Sequence, residues 1–186
     1  VRDETHMITL TEKGINVSVK HGLCLYYTDD GVLRDSGRYD MNMKTGLWTS
    51  RHENGNLASR ANYCGNILCG DMSTWYSNGN LKSKKTEIFD SATGFKGYTL
   101  REYKEDNTLA YYSLMNQNHF SLENILYFPD GSKRELNQSI LIWDKAQSSY
   151  DRTVKASRIL TYHSNGQILS DEMQLDSRTV GRTLTF

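Results

Sequence analysis

An Asp-Gly or Asn-Gly dipeptide recurs along this chain at a nearly constant interval, and this recurrence constrains the fold more than any other feature. We call the second residue of each dipeptide an anchor; Asn107, after Asp106, takes the same place once. The anchors are Gly31, Gly55, Gly79, Asn107, Gly131 and Gly166. They lie 24, 24, 28, 24 and 35 residues apart. Such dipeptides mark tight turns between strands, and a fixed period of this length indicates a repeat architecture.

Other residue columns keep the same register. Five of the six residues two positions after the anchors are apolar: Leu33, Leu57, Leu81, Leu109, Lys133 and Ile168. Five of the six residues four positions before them are aromatic: Tyr27, Arg51, Trp75, Tyr103, Tyr127 and Tyr162. Several columns in one register do not arise by chance, so the repeat is a property of the fold.

The residues around the anchors predict the turn geometry. Pro129 stands before Asp130-Gly131, and proline presets φ for the second position of a type I turn. Glycine then suits the left-handed position of a three-residue hairpin loop with a bulge, and Asn107 tolerates that position. In this geometry the residue four before the anchor faces the residue two after it, as in a Trp75–Leu81 pair.

The repeats predict an all-β fold, an elongated single antiparallel sheet of consecutive β-hairpins. Apolar residues occur four and seven positions before the anchors, so we expect each face of the sheet to pack in part. We divide the chain into degenerate N-terminal cap strands (1–21), hairpin repeats (22–137), an insertion (138–156), and the last repeat with a C-terminal cap (157–186).

Charge and hydropathy restrict the function classes. The chain has 22 basic and 22 acidic residues, and this balance lacks the basic footprint of a nucleic-acid-binding protein. No apolar run approaches the roughly 20 residues of a membrane helix, and the N-terminus does not resemble a signal peptide. This favours a cytoplasmic location, although removal of a leader would leave a secreted or periplasmic location open.

The three cysteines give an odd number, which fits a disulfide framework poorly. Cys64 and Cys69 flank the link between two hairpins, and we expect them to be reduced, with a disulfide as the alternative. Cys24 shares a column with Trp48, which predicts a packed apolar residue. The spacings of His21 and the cysteines do not match a zinc site, so we expect no metal and no cofactor.

The sequence contains no recognisable catalytic motif, such as a P-loop, H-E-x-x-H or C-x-x-C. His52 and His163 share one repeat column beside the turns, and we interpret them as structural. We therefore predict no catalytic residues and a protein that is not an enzyme.

The repeat resembles the MORN-repeat variant of bacterial YwqK-type antitoxin or immunity proteins. The resemblance is carried by Trp75-Tyr76-Ser77-Asn78-Gly79-Asn80-Leu81, by the equivalent residues 162–168, and by Tyr39, Tyr63, Gly46, Gly70 and Gly181. It implies about six repeats of roughly 24 residues. It also implies a non-catalytic module that binds and neutralises a partner toxin; related MORN proteins are scaffolds, some of them near membranes.

Two functional hypotheses follow. The first is a protein-binding module whose partner is a toxin, and the alternative is a structural or membrane-associated scaffold. Partner choice is expected in the non-repetitive segments, since loops carry function while a scaffold positions them. The predicted partner-binding residues are Tyr98, Arg101, Trp143, Tyr150 and Arg152.

Overall fold

The computed structural model describes residues 4–117, 121–144, 149–175, 178–179 and 184–185. The chain divides into two compact units, Val1–Thr86 and Glu87–Phe186. Every regular element in the described ranges is a β-strand. The predicted all-β fold of consecutive antiparallel hairpins is therefore confirmed.

The first unit is built from seven antiparallel strands that are hydrogen-bonded in chain order. Threonine, tyrosine and aliphatic residues recur in these strands, and such residues favour a pleated, half-buried surface. The strands are β1 (Glu4–Glu12), β2 (Ile15–Tyr27), β3 (Leu33–Asp40), β4 (Met43–Arg51), β5 (Leu57–Cys64), β6 (Ile67–Trp75) and β7 (Leu81–Asp90), and β7 ends in the second unit.

The second unit continues the same pattern. Strands β8 to β13 pair antiparallel in chain order, and two short strands both pair with β13. The strands are β8 (Phe95–Tyr103), β9 (Leu109–Asn116), β10 (Ser121–Tyr127), β11 (Lys133–Asp144), β12 (Ser149–Tyr162), β13 (Ile168–Leu175), β14 (Arg178–Thr179) and β15 (Leu184–Thr185).

All six anchors have the predicted turn geometry. Each has a positive φ, from 68° at Asn107 to 89° at Gly79. At Gly55, as at the other five, the anchor N–H donates to the carbonyl three residues earlier, here His52, at 2.9 Å. The residue four before the anchor is paired with the residue two after it, for example Trp75 with Leu81. The predicted turn and its register shift are confirmed.

Two-residue turns join successive hairpins in the first unit. Met41-Asn42 and Gly65-Asn66 have positive φ at both positions, the signature of a type I′ turn. Each asparagine also reaches back to the preceding repeat, where the Lys20 N–H donates to Asn42 Oδ1 at 2.8 Å and the Lys44 N–H to Asn66 Oδ1 at 2.7 Å. These contacts fix one repeat on the next through the backbone.

The core of the first unit lies on one face of its strands. Trp48 is buried over Gly37, where an added Cβ would come within 2.1 Å of the indole ring. The indole N–H donates to the Arg38 carbonyl at 3.1 Å. Cys24, opposite Gly37, is free and fully buried, as the column predicted.

The core of the second unit is an aliphatic cluster of Ile125, Leu136 and Leu160 on three adjacent strands. Tyr127 and Tyr162, from the aromatic column, pack against this cluster together with Tyr112. Here the aromatic column contributes to internal packing.

The prediction that Cys64 and Cys69 are reduced is wrong, because they form a disulfide with Cα atoms 5.8 Å apart. Cys64 pairs with Ile67 across the two-residue turn, and Cys69 lies two residues beyond Ile67 on the same strand. The two cysteines are thus diagonal neighbours on one face of the hairpin. An odd cysteine count could not show this, since the third cysteine is buried elsewhere.

Candidate functional site

The structure separates two of the predicted partner-binding residues. Tyr98 and Arg101 lie three residues apart on β8, in a stretch of regular pairing with β9. Successive side chains on a strand point to opposite faces, so Tyr98 and Arg101 face opposite sides. Tyr98 donates a hydrogen bond to Met115 Sδ at 2.9 Å. One flat partner surface cannot contact both residues.

Arg101 is part of a polar group on β8 and β9. Its guanidinium carbon lies 5.2 Å from the centre of the Tyr112 ring, and Nη1 donates to Thr99 Oγ1 at 3.2 Å. Thr99 is 5% exposed and anchors this end of the guanidinium. Arginine above a tyrosine ring is attracted by the ring quadrupole, which holds the Arg101 side chain in place at low entropic cost.

The polar group continues across the neighbouring strands. Gln138 donates to Glu123 Oε2 at 2.9 Å, and these two residues are directly opposite each other on β11 and β10. Burial, followed by repulsion from Tyr112 and Glu123, raises the pKa of Tyr127, while Arg101 acts in the opposite direction. This face therefore combines an oriented cation, a carboxylate and tyrosine hydroxyls.

The remaining predicted residues lie on the long hairpin formed by β11 and β12. Trp143 is directly opposite Tyr150, and the next pair, Asp144 with Ser149, closes the described part of the hairpin. Arg152 falls where the register shifts between Ile140 and Ile142. The residues of the predicted insertion thus extend two repeat strands, and their side chains lie outside the described part of the structure.

The sequence analysis missed an ion pair between β12 and β13. Arg158 on β12 donates two hydrogen bonds to Asp171 on β13, from Nε at 2.9 Å and from Nη2 at 2.6 Å. These bonds lower the pKa of Asp171 and raise that of Arg158. Both residues are solvent-accessible, so the pair fixes side-chain orientation more than it stabilises the fold.

Lysines lie over aromatic rings in the first unit. Lys20 Nζ is 5.1 Å from the centre of the Tyr39 ring, and Lys44 Nζ is 4.4 Å from that of Trp48 and 5.2 Å from that of Tyr63. Both lysines occupy the position eleven before an anchor. The sequence analysis did not use this column, although its two lysines are the signal from which these contacts could have been predicted.

Tyr39 closes this aromatic group. Its ring meets Trp48 edge-on with the centroids 5.0 Å apart. Burial, and then a hydrogen bond and repulsion from Tyr26, raise the pKa of Tyr39 to about 12. The lysine ammonium groups are engaged in cation–π contacts with these rings, which favours a structural role for this group.

An open cleft of about 610 Å³ lies on the first unit between β1, β2 and β3. Its lining includes Glu4, His6, His21 and Arg38. His21 Nδ1 lies 3.2 Å from the Asp40 carboxylate. Within the described ranges, no three His, Cys, Asp or Glu side chains are grouped so as to hold a metal ion.

The structural interpretation of His52 is confirmed. Its Nε2 lies 2.9 Å from the Trp75 carbonyl, and Asn54 and Asn56 both donate to the Ser77 carbonyl, at 2.7 and 2.8 Å. These bonds stack one turn on the next, so the histidine serves repeat packing.

The model of the MORN repeat variant family matches residues 44–64 and 68–86. These segments cover parts of β4 to β7, where the sequence repeat is cleanest, and they are similar to MORN-variant repeats. No curated protein sequence matches this chain significantly. In the part of the chain that the structure describes, no helix is long and apolar enough to cross a membrane.

One similar solved structure is the crystal structure of a protein with unknown function from Bacteroides fragilis NCTC 9343. The two chains are 12% identical, and the match covers 76% of this chain and 93% of the other, with a TM-score of 0.24.

Proposed function

We propose that this chain is a protein-binding repeat module that acts as an antitoxin or immunity protein and neutralises a partner toxin. The observation that carries the proposal is the long β11–β12 hairpin, which adds residues to the repeat and places Trp143 opposite Tyr150 near its end. In this proposal the repeats form the scaffold. The hairpin is the non-repetitive segment, and it determines which partner is bound.

The residue types support a protein partner. Tryptophan, tyrosine and arginine dominate the residues that lose most binding energy on truncation to alanine. Backbone pairing brings a tryptophan and a tyrosine, two of these residue types, opposite each other near the end of the hairpin.

Arg101 is a separate candidate contact of the proposed module. Its guanidinium is held by the Tyr112 ring and the Thr99 hydroxyl, so this cation is oriented before a partner binds.

The test is capture of the tagged chain with its partner from the native host, followed by expression of the captured protein. The proposal expects one stoichiometric protein that is toxic alone and harmless when this chain is co-expressed. In W143A/Y150A we expect protection to be lost. A matched control is Phe89→Ala, which removes an aromatic side chain that is 66% exposed on β7 and should leave protection intact.

A different outcome favours the scaffold alternative. If no specific protein is captured and the chain floats with vesicles that contain anionic lipid, the immunity role is wrong. Loss of Arg101 gives an intermediate test, because R101A should weaken partner binding while leaving the aromatic pair in place.

A further inference from the structure

The outer end of the β1–β2 hairpin is a two-stranded extension of the first unit. β1 pairs with β2 along Met7–Glu12, opposite residues 15–20, whereas the pairing of β2 with β3 begins only at Gly22. β1 is also the first strand in the sheet order. Among the described strands, β1 therefore has one hydrogen-bonded neighbour, β2.

One face of the hairpin is aliphatic and is exposed toward its outer end, whereas Val19, nearer the body of the unit, is only 7% exposed. Ile8 is opposite Val19, and Leu10 is opposite Val17. Val17 is 50% exposed and Leu10 is 37% exposed. The other face carries hydroxyl and amide groups, such as Thr11, whose hydroxyl bonds Asn16 at 2.6 Å. A two-stranded hairpin with a partly exposed apolar face is marginal by itself in water.

The edge lacks two of the usual blocks against strand pairing. Between Glu4 and Glu12 the sequence has no lysine and no proline, and these are the residues by which exposed edges are commonly blocked. The Lys13-Gly14 turn has φ of 50° and 78°, so residues 12 and 15 close a two-residue hairpin with a hydrogen-bonded pair. Alternation then turns the backbone groups of Met7, Thr9 and Thr11 outward.

We infer that β1 pairs antiparallel with β1 of a second copy of this chain, with Thr9 opposite Thr9 on the two-fold axis. A two-fold axis normal to the sheet leaves each side chain on the same face in both copies. Paired residues share a face and side chains alternate along a strand, so two residues can pair only when both numbers are odd or both are even. Centring on Thr9 brings the outward backbone groups of Met7, Thr9 and Thr11 into register with their counterparts. Centring on Ile8 instead places Glu4 opposite Glu12, and like charges directly opposite each other are destabilising.

The Thr9 register is also the one that completes the aliphatic face. It places Ile8 of one copy opposite Leu10 of the other. Together with the observed Ile8–Val19 and Leu10–Val17 pairs, this produces two symmetric rows, each of four aliphatic side chains across four strands. Each new contact joins the half-buried Ile8 of one copy to the exposed Leu10 of the other, and the interface is isologous, as in most homodimers.

The oligomeric state tests the inference directly. Sedimentation of the full chain should give twice the chain mass of 21.3 kDa. In Thr9→Pro the outward N–H is lost and no bond within the hairpin is broken, so the dimer should be lost while far-UV circular dichroism and thermal midpoint are retained. A monomeric wild-type chain, or a dimer that survives T9P with its fold intact, would overturn the inference.

Cysteine crosslinking tests the register. T9C should form an intermolecular disulfide under mild oxidation. The matched control T11C lies on the same strand and face but is displaced from its symmetry mate by four residues, roughly 13 Å, and should not. A mixture of M7C and T11C should crosslink as a heterodimer although neither does so alone. Equal crosslinking of T9C and T11C would contradict this register.

Discussion

The apolar cores of the two units lie in different columns of the same repeat, although Ser113 of the second unit, which is fully buried, shares the column of Gly37 and Ala61. In the first unit the buried cross-strand pairs are Cys24–Gly37 and Trp48–Ala61, at seven before and six after the anchors. In the second unit they are formed by Ile125, Leu136 and Leu160, at six before and five after. Neighbouring columns face opposite sides of a strand, so the repeat can carry its core on either face.

This difference shows how a sheet of one layer obtains a core. In the first unit a large ring lies over small residues, with Trp48 above Gly37. In the second, branched side chains meet across three strands and tyrosines cover them from the sides. In each unit the column next to the core column faces the opposite side of the strands and is largely polar. Examples are the Thr49–Arg60 and Asn124–Asn137 pairs.

The comparison predicts that a core substitution unfolds its own unit first. Trp48→Ala removes the side chain that covers Gly37, and we expect a loss of about 3–5 kcal/mol, as for other buried tryptophans. Amide hydrogen exchange should then rise across β2 to β5. Trp75→Ala, at a half-buried position in the same unit, is the matched control and should cost less.

The reciprocal substitution is Leu136→Ala, with an expected loss of about 2–3 kcal/mol. Its increase in exchange should fall on β10 to β12, with β2 to β5 still protected. If either substitution removed protection equally from both units, they would unfold as one body and the comparison would fail.

The disulfide gives the first unit a covalent link of its own. Closing a loop of six residues between Cys64 and Cys69 should stabilise the unit by about 2 kcal/mol in the chain-entropy account. Denaturant unfolding with and without reductant measures this difference. A Cys64→Ser/Cys69→Ser variant should show the lower stability and no response to reductant.

A smaller effect is expected at the one anchor that is not glycine. Asn107 has φ of 68°, where glycine is less strained than other residues. Asn107→Gly should therefore stabilise the second unit by less than about 1 kcal/mol. Gly55→Asn in the first unit is the mirror test, with a similar loss; a gain there would contradict the argument.

The smallest expected effect is a difference in acid sensitivity. Hydrogen bonds lower the pKa of four aspartates, all in the second unit: Asp90, Asp106, Asp130 and Asp171. A carboxyl whose pKa is lower in the folded state stabilises the fold above its unfolded value and loses this contribution as pH falls through the folded value. Below the ordinary value of 3.8, exchange should therefore rise first in the second unit. An earlier loss in the first unit would refute this.

The sequence by itself determined the turns and the pairing. The recurring Asp-Gly and Asn-Gly dipeptides, with Asp106-Asn107 in one place, predicted a positive φ at each anchor, and this geometry set the register of the six hairpins that contain an anchor, including Trp75 with Leu81. These features are local, since they depend on a few consecutive residues. For the same reason the packed Cys24 and the structural His52 could be read from their columns.

Tertiary structure alone decided which column is buried, whether Cys64 meets Cys69, and which faces Tyr98 and Arg101 occupy. Apolar residues stood in columns of both parities, and the choice between faces depends on whether a neighbouring strand offers a small partner, as Gly37 does for Trp48. The disulfide required two side chains on one face of a closed turn. Such contacts join residues on different strands, and they are settled only when the whole sheet has formed.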